Sequence, residues 1–166
     1  MADAHGLLYV RRIDHTLERR TLSDAAINEA MRLRSDLAEV HLAMAWHLSD
    51  CYRDIERVRV QIAIAARALP NNSELLHLGA VLNRRQGRWD KATAGLERAA
   101  TLDPRNPDLL QSLAWTYRCL RRYRDAERIL DRLIEIEPDQ RHASKEAIHS
   151  VRREFGIRQE SSTLGC

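Results

Sequence analysis

Three prolines, Pro70, Pro104 and Pro138, are equally spaced along the chain, separated by 34 and again by 34. Each follows a stretch with apolar residues at helical spacing, and each is followed by polar residues such as Asn71 and Asn72. Because proline cannot continue a helix, each of the three marks a helix end and a turn. The spacing therefore predicts a chain built from repeated helical units.

Other residues keep the same period. Fifteen residues before each proline stands a large side chain, and twelve before it a small or branched one: Ile55, Trp89 and Tyr123, then Val58, Ala92 and Ala126. In the preceding helix, small residues recur at intervals of 34 and 35: Ala45, Gly79 and Ala114. Small residues let two antiparallel helices approach closely, so the pattern predicts pairs of helices with these residues buried between them.

This pattern resembles the tetratricopeptide repeat, a helix-turn-helix unit of about 34 residues. The middle repeat carries it most fully: Leu78-Gly79, Gly87-Arg88-Trp89, Ala92, Ala99 and Asp103-Pro104. The third repeat matches with Leu113-Ala114, Tyr117, Tyr123, Ala126 and Glu137-Pro138. There are two departures: the first two repeats have one extra residue between their helices, and Arg121 stands where the turn glycine is expected.

The resemblance implies an all-α fold, in which antiparallel helix pairs stack into a right-handed superhelix (an α-solenoid). We expect one domain over 1–155, with repeats at 37–70, 71–104 and 105–138. A degenerate first pair is expected over about 4–36, as helices Ala4–Arg12 and Leu22–Leu33 joined by the charged stretch Arg12–Arg20. A capping helix is expected over about 140–155, because stacked repeats must cover their last apolar face. Residues 156–166 are expected to form a flexible tail.

Composition excludes several classes of protein. The formal net charge is +3, and no concentrated basic stripe indicates a nucleic-acid partner. The three cysteines, Cys51, Cys119 and Cys166, form no CxxC pair, so neither a disulfide framework nor a zinc knuckle is indicated. A reducing, cytoplasmic setting is expected, and the apolar run Leu7–Val10 is too short for a signal peptide or a membrane span.

No enzyme is predicted, because no nucleophile elbow, zinc-binding HExxH or glycine-rich phosphate loop appears. His142 and His149 are seven residues apart, a spacing that suits surface histidines as well as a shared metal. Cys51 and Cys119 are interpreted as semi-buried helix cysteines. No cofactor and no metal site are expected.

The resemblance implies a protein-interaction module, in which the first helices of the repeats line a concave groove for a partner peptide or helix. Residues next to the small landmarks, Trp46, Ala80 and Trp115, are expected to face that groove. The predicted groove residues are Leu42, Trp46, Leu76, Asn83, Gln111, Trp115, Arg118, Lys145, His149 and Arg152. They predict a partner segment with an apolar or aromatic anchor and acidic residues.

Two simpler interpretations stand beside this one, since a helical tryptophan often serves packing and a basic stripe is often a solvated face. An alternative function is a regulatory or oligomerisation segment of a larger bacterial signalling protein, of the cyclase, kinase or transcription-regulator type. RNA binding needs base-reading residues at equivalent positions in successive repeats, and the groove positions vary too much for that.

Overall fold

The computed structural model describes residues 17–137. This range holds seven α-helices and no strand: α1 (Leu17–Arg34), α2 (Ala38–His47), α3 (Ile55–Ala68), α4 (Ser73–Arg85), α5 (Trp89–Leu102), α6 (Pro107–Cys119) and α7 (Tyr123–Ile136). A π-helical turn, Leu48–Tyr52, follows α2 directly. The predicted all-α architecture of helix pairs is confirmed.

The N-terminal helix begins earlier than expected. We predicted a helix from Leu22 and a linker over Arg12–Arg20, but α1 begins at Leu17. Residues 17–20 contain only strong helix formers, with neither glycine nor proline, and Glu18 in the first turn suits the positive end of the helix dipole. The predicted helix at Ala4–Arg12, the capping helix at 140–155 and the tail at 156–166 lie outside the described residues.

The chain divides into two compact units, with the boundary between Leu82 and Asn83. In the first unit, α1 packs on α2, and α2 packs on α3. Its core holds Ile27 of α1, Leu42, Ala45 and Leu48 of α2 and the following turn, Val58 and Ala65 of α3, and Leu75, Leu78 and Leu82 of α4. The landmark residues Ala45 and Val58 are both fully buried, as the period predicts. The landmark Gly79 is half-buried instead, and an added Cβ there would meet no atom within 4 Å.

In the second unit, α6 packs against both α5 and α7. The buried residues are Ala92, Leu96 and Ala99 of α5, Leu109, Leu110, Leu113 and Ala114 of α6, and Ala126, Ile129, Leu130 and Leu133 of α7. Ala92, Ala99 and Ala126 have no exposed surface. Small residues therefore lie inside the unit, where the period placed them.

The turn within each helix pair has the same backbone geometry. Arg53, Gly87 and Arg121 stand at the same point of successive repeats, and all have positive φ angles, of 53°, 72° and 59°. After α4, the amides of Gly87 and Arg88 donate to the carbonyl oxygens of Arg84 (3.0 Å) and Asn83 (2.9 Å). This is the Schellman arrangement, which satisfies the last carbonyls of a helix.

Arg121 occupies the glycine position without changing the turn. Its amide donates to the carbonyl of Arg118 (3.0 Å), and the next amide, of Arg122, donates to the carbonyl of Tyr117 (2.9 Å). The extra residue in the first two repeats is also accounted for. After α2 it lies in the π-helical turn, a geometry that inserts one residue, and α4 extends one residue further past Gly79 than α6 does past Ala114.

The buried alanines should not tolerate a larger side chain. We expect Ala92→Leu and Ala126→Leu each to lower the free energy of unfolding by about 1–3 kcal/mol, because extra methylenes must be forced between packed helices. Ala94→Leu is the matched control, since Ala94 lies on the same helix as Ala92 but is exposed. Thermal or urea unfolding measures all three. Equal stability of Ala92→Leu and Ala94→Leu would contradict the packing described here.

The repeated positive φ predicts opposite effects at two equivalent turns. Gly87→Ala should lower stability by about 1 kcal/mol, although an added Cβ would meet no atom within 4 Å, because the cost comes from the left-handed backbone. Arg121→Gly should raise stability by up to about 1 kcal/mol for the same reason. Urea unfolding of the two variants tests this, and two shifts of the same sign would contradict it.

Candidate partner-binding site

Helix α6 presents an exposed face that carries three of the predicted groove residues. Gln111, Trp115 and Arg118 are spaced by four and three residues, so they lie on one side of the helix. Gln111 is exposed, Trp115 is 48% exposed and Arg118 is half-buried. We call these three residues the α6 face.

The position of α6 is fixed by its buried side and by its start. Asn106 caps the helix, because its side-chain oxygen accepts from the amide of Leu109 (3.1 Å), and Pro107 follows at the first helical position. The hydroxyl of buried Tyr117 donates to Glu97 of α5 (2.7 Å). Burial, together with that hydrogen bond, raises the pKa of Tyr117 to about 12, so the phenol stays protonated at neutral pH. The α6 face therefore projects from an ordered helix.

Arg84, in the last turn of α4, holds the Trp115 ring. Its guanidinium carbon lies 4.4 Å from the ring centroid, within the range of a cation–π contact. Its Nη1 donates to the carbonyl of Ser112 (3.2 Å), to the hydroxyl of Ser112 (3.0 Å) and to the hydroxyl of Thr116 (3.0 Å). Sequence reasoning missed Arg84, because no spacing distinguishes it among the many arginines of this chain.

Two residues expected at the groove are buried instead. Leu42 is 5% exposed and belongs to the core of the first unit, so we remove it from the candidate site. Its helix, α2, packs on α1 as well as on α3, which leaves less of its surface open than a two-helix pair would. Ala80, at the position equivalent to Trp115, is 2% exposed and is also removed.

Trp46 differs from Trp115 in its surroundings. It is half-buried and packs against the core of the first unit, and its ring meets His77 edge-on at 5.2 Å between centroids. Packing accounts for much of its surface, as the simpler interpretation of a helical tryptophan expects. Leu76, in the first unit, and Asn83, in the second, are both half-buried. Lys145, His149 and Arg152 lie outside the described residues.

A second polar cluster, in the first unit, was not predicted. The His47 ring lies between the hydroxyl of Ser23, 2.9 Å from Nδ1, and the carboxylate of Asp24, 2.7 Å from Nε2. Asp24 also accepts from the hydroxyl of Tyr52 at 2.7 Å. The order serine, histidine, aspartate resembles a hydrolase triad, but Ser23 is 1% exposed and its hydroxyl is closed to a substrate. The cluster joins α1 to the end of α2 and the π-helical turn.

The described residues offer neither a cluster of metal ligands nor, at Cys51, a reactive thiol. No group of three or more histidine, cysteine or acidic side chains gathers between residues 17 and 137. Burial raises the pKa of Cys51 to about 11, so that thiol is protonated and a weak nucleophile at neutral pH. Cys119 is exposed rather than semi-buried as expected. None of the helices in this range is long and apolar enough to cross a membrane.

Comparisons with known proteins agree with this geometry. A family model for the tetratricopeptide repeat matches residues 83–148. A crystal structure of MamA superposes with a TM-score of 0.67 at 15% identity, over 85% of this chain and 81% of that one. PilF of Pseudomonas aeruginosa superposes with a TM-score of 0.69 at 16% identity, over 94% of this chain and 69% of that one. No curated protein sequence matches.

The chain has the tetratricopeptide repeat fold. Tetratricopeptide repeats are protein-interaction folds, and the site on α6 lies within the matched residues. The exposed side chains of the repeats are therefore the candidates for binding a partner.

The polar cluster around His47 predicts that removing the Asp24 carboxylate, which both His47 and Tyr52 contact, lowers the stability of the fold. We expect Asp24→Ala to lower the free energy of unfolding by about 1–3 kcal/mol, because buried His47 loses a hydrogen-bond partner. Tyr52→Phe removes only one hydrogen bond, from a side chain that is 41% exposed, and should cost less. Urea unfolding compares the two variants. A larger loss for Tyr52→Phe than for Asp24→Ala would contradict the central place of Asp24.

Proposed function

We propose that this chain is a protein-interaction module and that a segment of a partner protein binds on the α6 face. The observation that carries the proposal is Trp115, a large aromatic side chain that is 48% exposed and yet held in place by Arg84. Tryptophan and arginine are the side chains most enriched at binding hot spots. The tetratricopeptide repeat fold supports the same class of function.

The fixed orientation of the indole favours binding. An exposed side chain that must be ordered on association costs about 0.5–1.5 kcal/mol, and the stack on Arg84 has already limited the motion of this ring. Covering the remaining indole surface then contributes the hydrophobic term with less entropy lost. Arg118 on the same face adds a positive charge, which favours an acidic partner segment.

The wider groove remains a prediction, from Trp46 and Leu76 through Asn83 and the α6 face to Lys145, His149 and Arg152. The alternative of a regulatory or oligomerisation segment of a larger bacterial signalling protein uses the same kind of surface. The proposal made here needs only α6 and Arg84, both within the second unit.

Selection of peptides by display on the purified chain tests the proposal without a known partner. We expect a selected peptide to lose about 2 kcal/mol or more of binding free energy on Trp115→Ala, as a hot-spot residue does. Leu102→Ala is the matched control, because Leu102 is 45% exposed on α5 of the same unit. Titration by fluorescence anisotropy measures both variants.

The contrary outcomes are distinct. Unchanged affinity for a folded Trp115→Ala variant would place the binding surface elsewhere in the chain. Loss of the helical circular dichroism signal in that variant would return Trp115 to a packing role and overturn the proposal. An equal loss of affinity for Leu102→Ala would remove the specificity on which it depends.

A further inference from the structure

Arg84 carries a charge that the described part of the chain does not neutralise. Its hydrogen bonds all go to neutral oxygens, those of Ser112 and Thr116, and no carboxylate lies against it between residues 17 and 137. The pKa of Arg84 is lowered because the protein removes part of the water around this cation. A partly desolvated charge is costly unless an opposite charge meets it.

Two arginines of the second unit pair with carboxylates, unlike Arg84. Arg122 and Arg128 both pair with Asp125, and Arg122 also lies 3.6 Å from Glu97. Arg118, like Arg84, forms no ion pair with another described residue. Arg84 and Arg118 both adjoin Trp115, Arg84 stacked on its ring and Arg118 three residues along the same helix.

The guanidinium of Arg84 has one edge free. Its Nη1 makes all three hydrogen bonds, whereas Nε and Nη2 make none within the described residues. No buried side-chain nitrogen in that range lacks a hydrogen-bond partner, so Nε and Nη2 reach solvent. The N–H groups of this edge point the same way and match the two oxygens of a carboxylate.

We propose that the Nε–Nη2 edge of Arg84 binds the carboxylate of an aspartate or glutamate in the partner segment, next to an apolar residue that covers Trp115. The inference rests on the proposed function, since it names the chemistry recognised at the same site. The hydroxyls of Ser112 and Thr116 hold the guanidinium from its other side, so its free edge is already oriented for a bidentate pair. Arg118 supplies a second positive charge on the same face.

Charge complementarity selects this occupant over the others. A wholly apolar segment would cover the indole but would leave the Arg84 cation with still less water and no partner, which costs free energy. An acidic residue beside the apolar one removes that cost. The proposed segment therefore has an acidic and an apolar residue close together, and the acid is recognised by geometry as well as by charge.

The test compares a peptide selected by display with its amidated analogue, in which each aspartate becomes asparagine and each glutamate becomes glutamine. On the unmodified chain we expect the acidic peptide to bind about tenfold more tightly or better, since charged hydrogen bonds are among the stronger ones. On Arg84→Gln the preference should fall below about twofold. Arg105→Gln, which removes an exposed charge from the turn before α6, should keep the preference.

Arg84→Lys separates charge from geometry. It keeps the cation and the aliphatic stem but loses the planar fork, so we expect an intermediate preference for the acidic peptide. The comparison of the two peptides on the unmodified chain needs no variant, so equal binding of both would overturn the inference even if Arg84→Gln fails to fold.

The inference and the proposed function fail in different ways. Peptides that depend on Trp115 but bind equally well as acid and amide would overturn the inference and leave the proposed function in place. Peptides that bind without dependence on Trp115 would overturn the proposed function. Tight binding of a single-stranded oligoribonucleotide that depends on Arg84, with no selected peptide, would overturn both.

Discussion

The close contact of helices across small side chains is the constraint on which each unit depends. Ala92, Ala99 and Ala126 have no exposed surface, and Ala114 has 2%. Protein interiors are packed as densely as organic crystals, so an alanine at such a contact sets the separation of two helices. In the second unit, α6 packs against both α5 and α7. The central helix is thereby fixed, and its remaining side is the α6 face.

The turns within the helix pairs also repeat, in their backbone conformation. A left-handed residue recurs at Arg53, Gly87 and Arg121, although only one of the three is glycine. Left-handed geometry costs a residue with a Cβ about 1–2 kcal/mol, so the surrounding hydrogen bonds and helix contacts must determine it. The left-handed backbone conformation thus recurs with the repeat period, whereas the residue type at that position does not.

Sequence could predict the features that repeat. The helix pairs and the buried alanines follow from a period that recurs several times, and the structure has them where the period placed them. Gly79, which the same period placed between helices, is only half-buried. The burial of Leu42 could not be predicted, because the sequence pattern did not show that α2 packs on α1 as well as on α3. Arg84 could not be predicted either, since its role depends on Ser112, Trp115 and Thr116 in another helix. Contacts that occur once leave no period in the sequence.

The α6 face and Arg84 show how a repeat fold acquires a specific surface. The stack of Arg84 on Trp115 has no counterpart one repeat earlier, where buried Ala80 stands at the position of Trp115. On α6, buried Ala114 and the residues proposed for recognition thus lie on different sides of the helix. The proposed pairing of Arg84 with an acidic partner segment therefore uses none of the buried alanines that pack the helices.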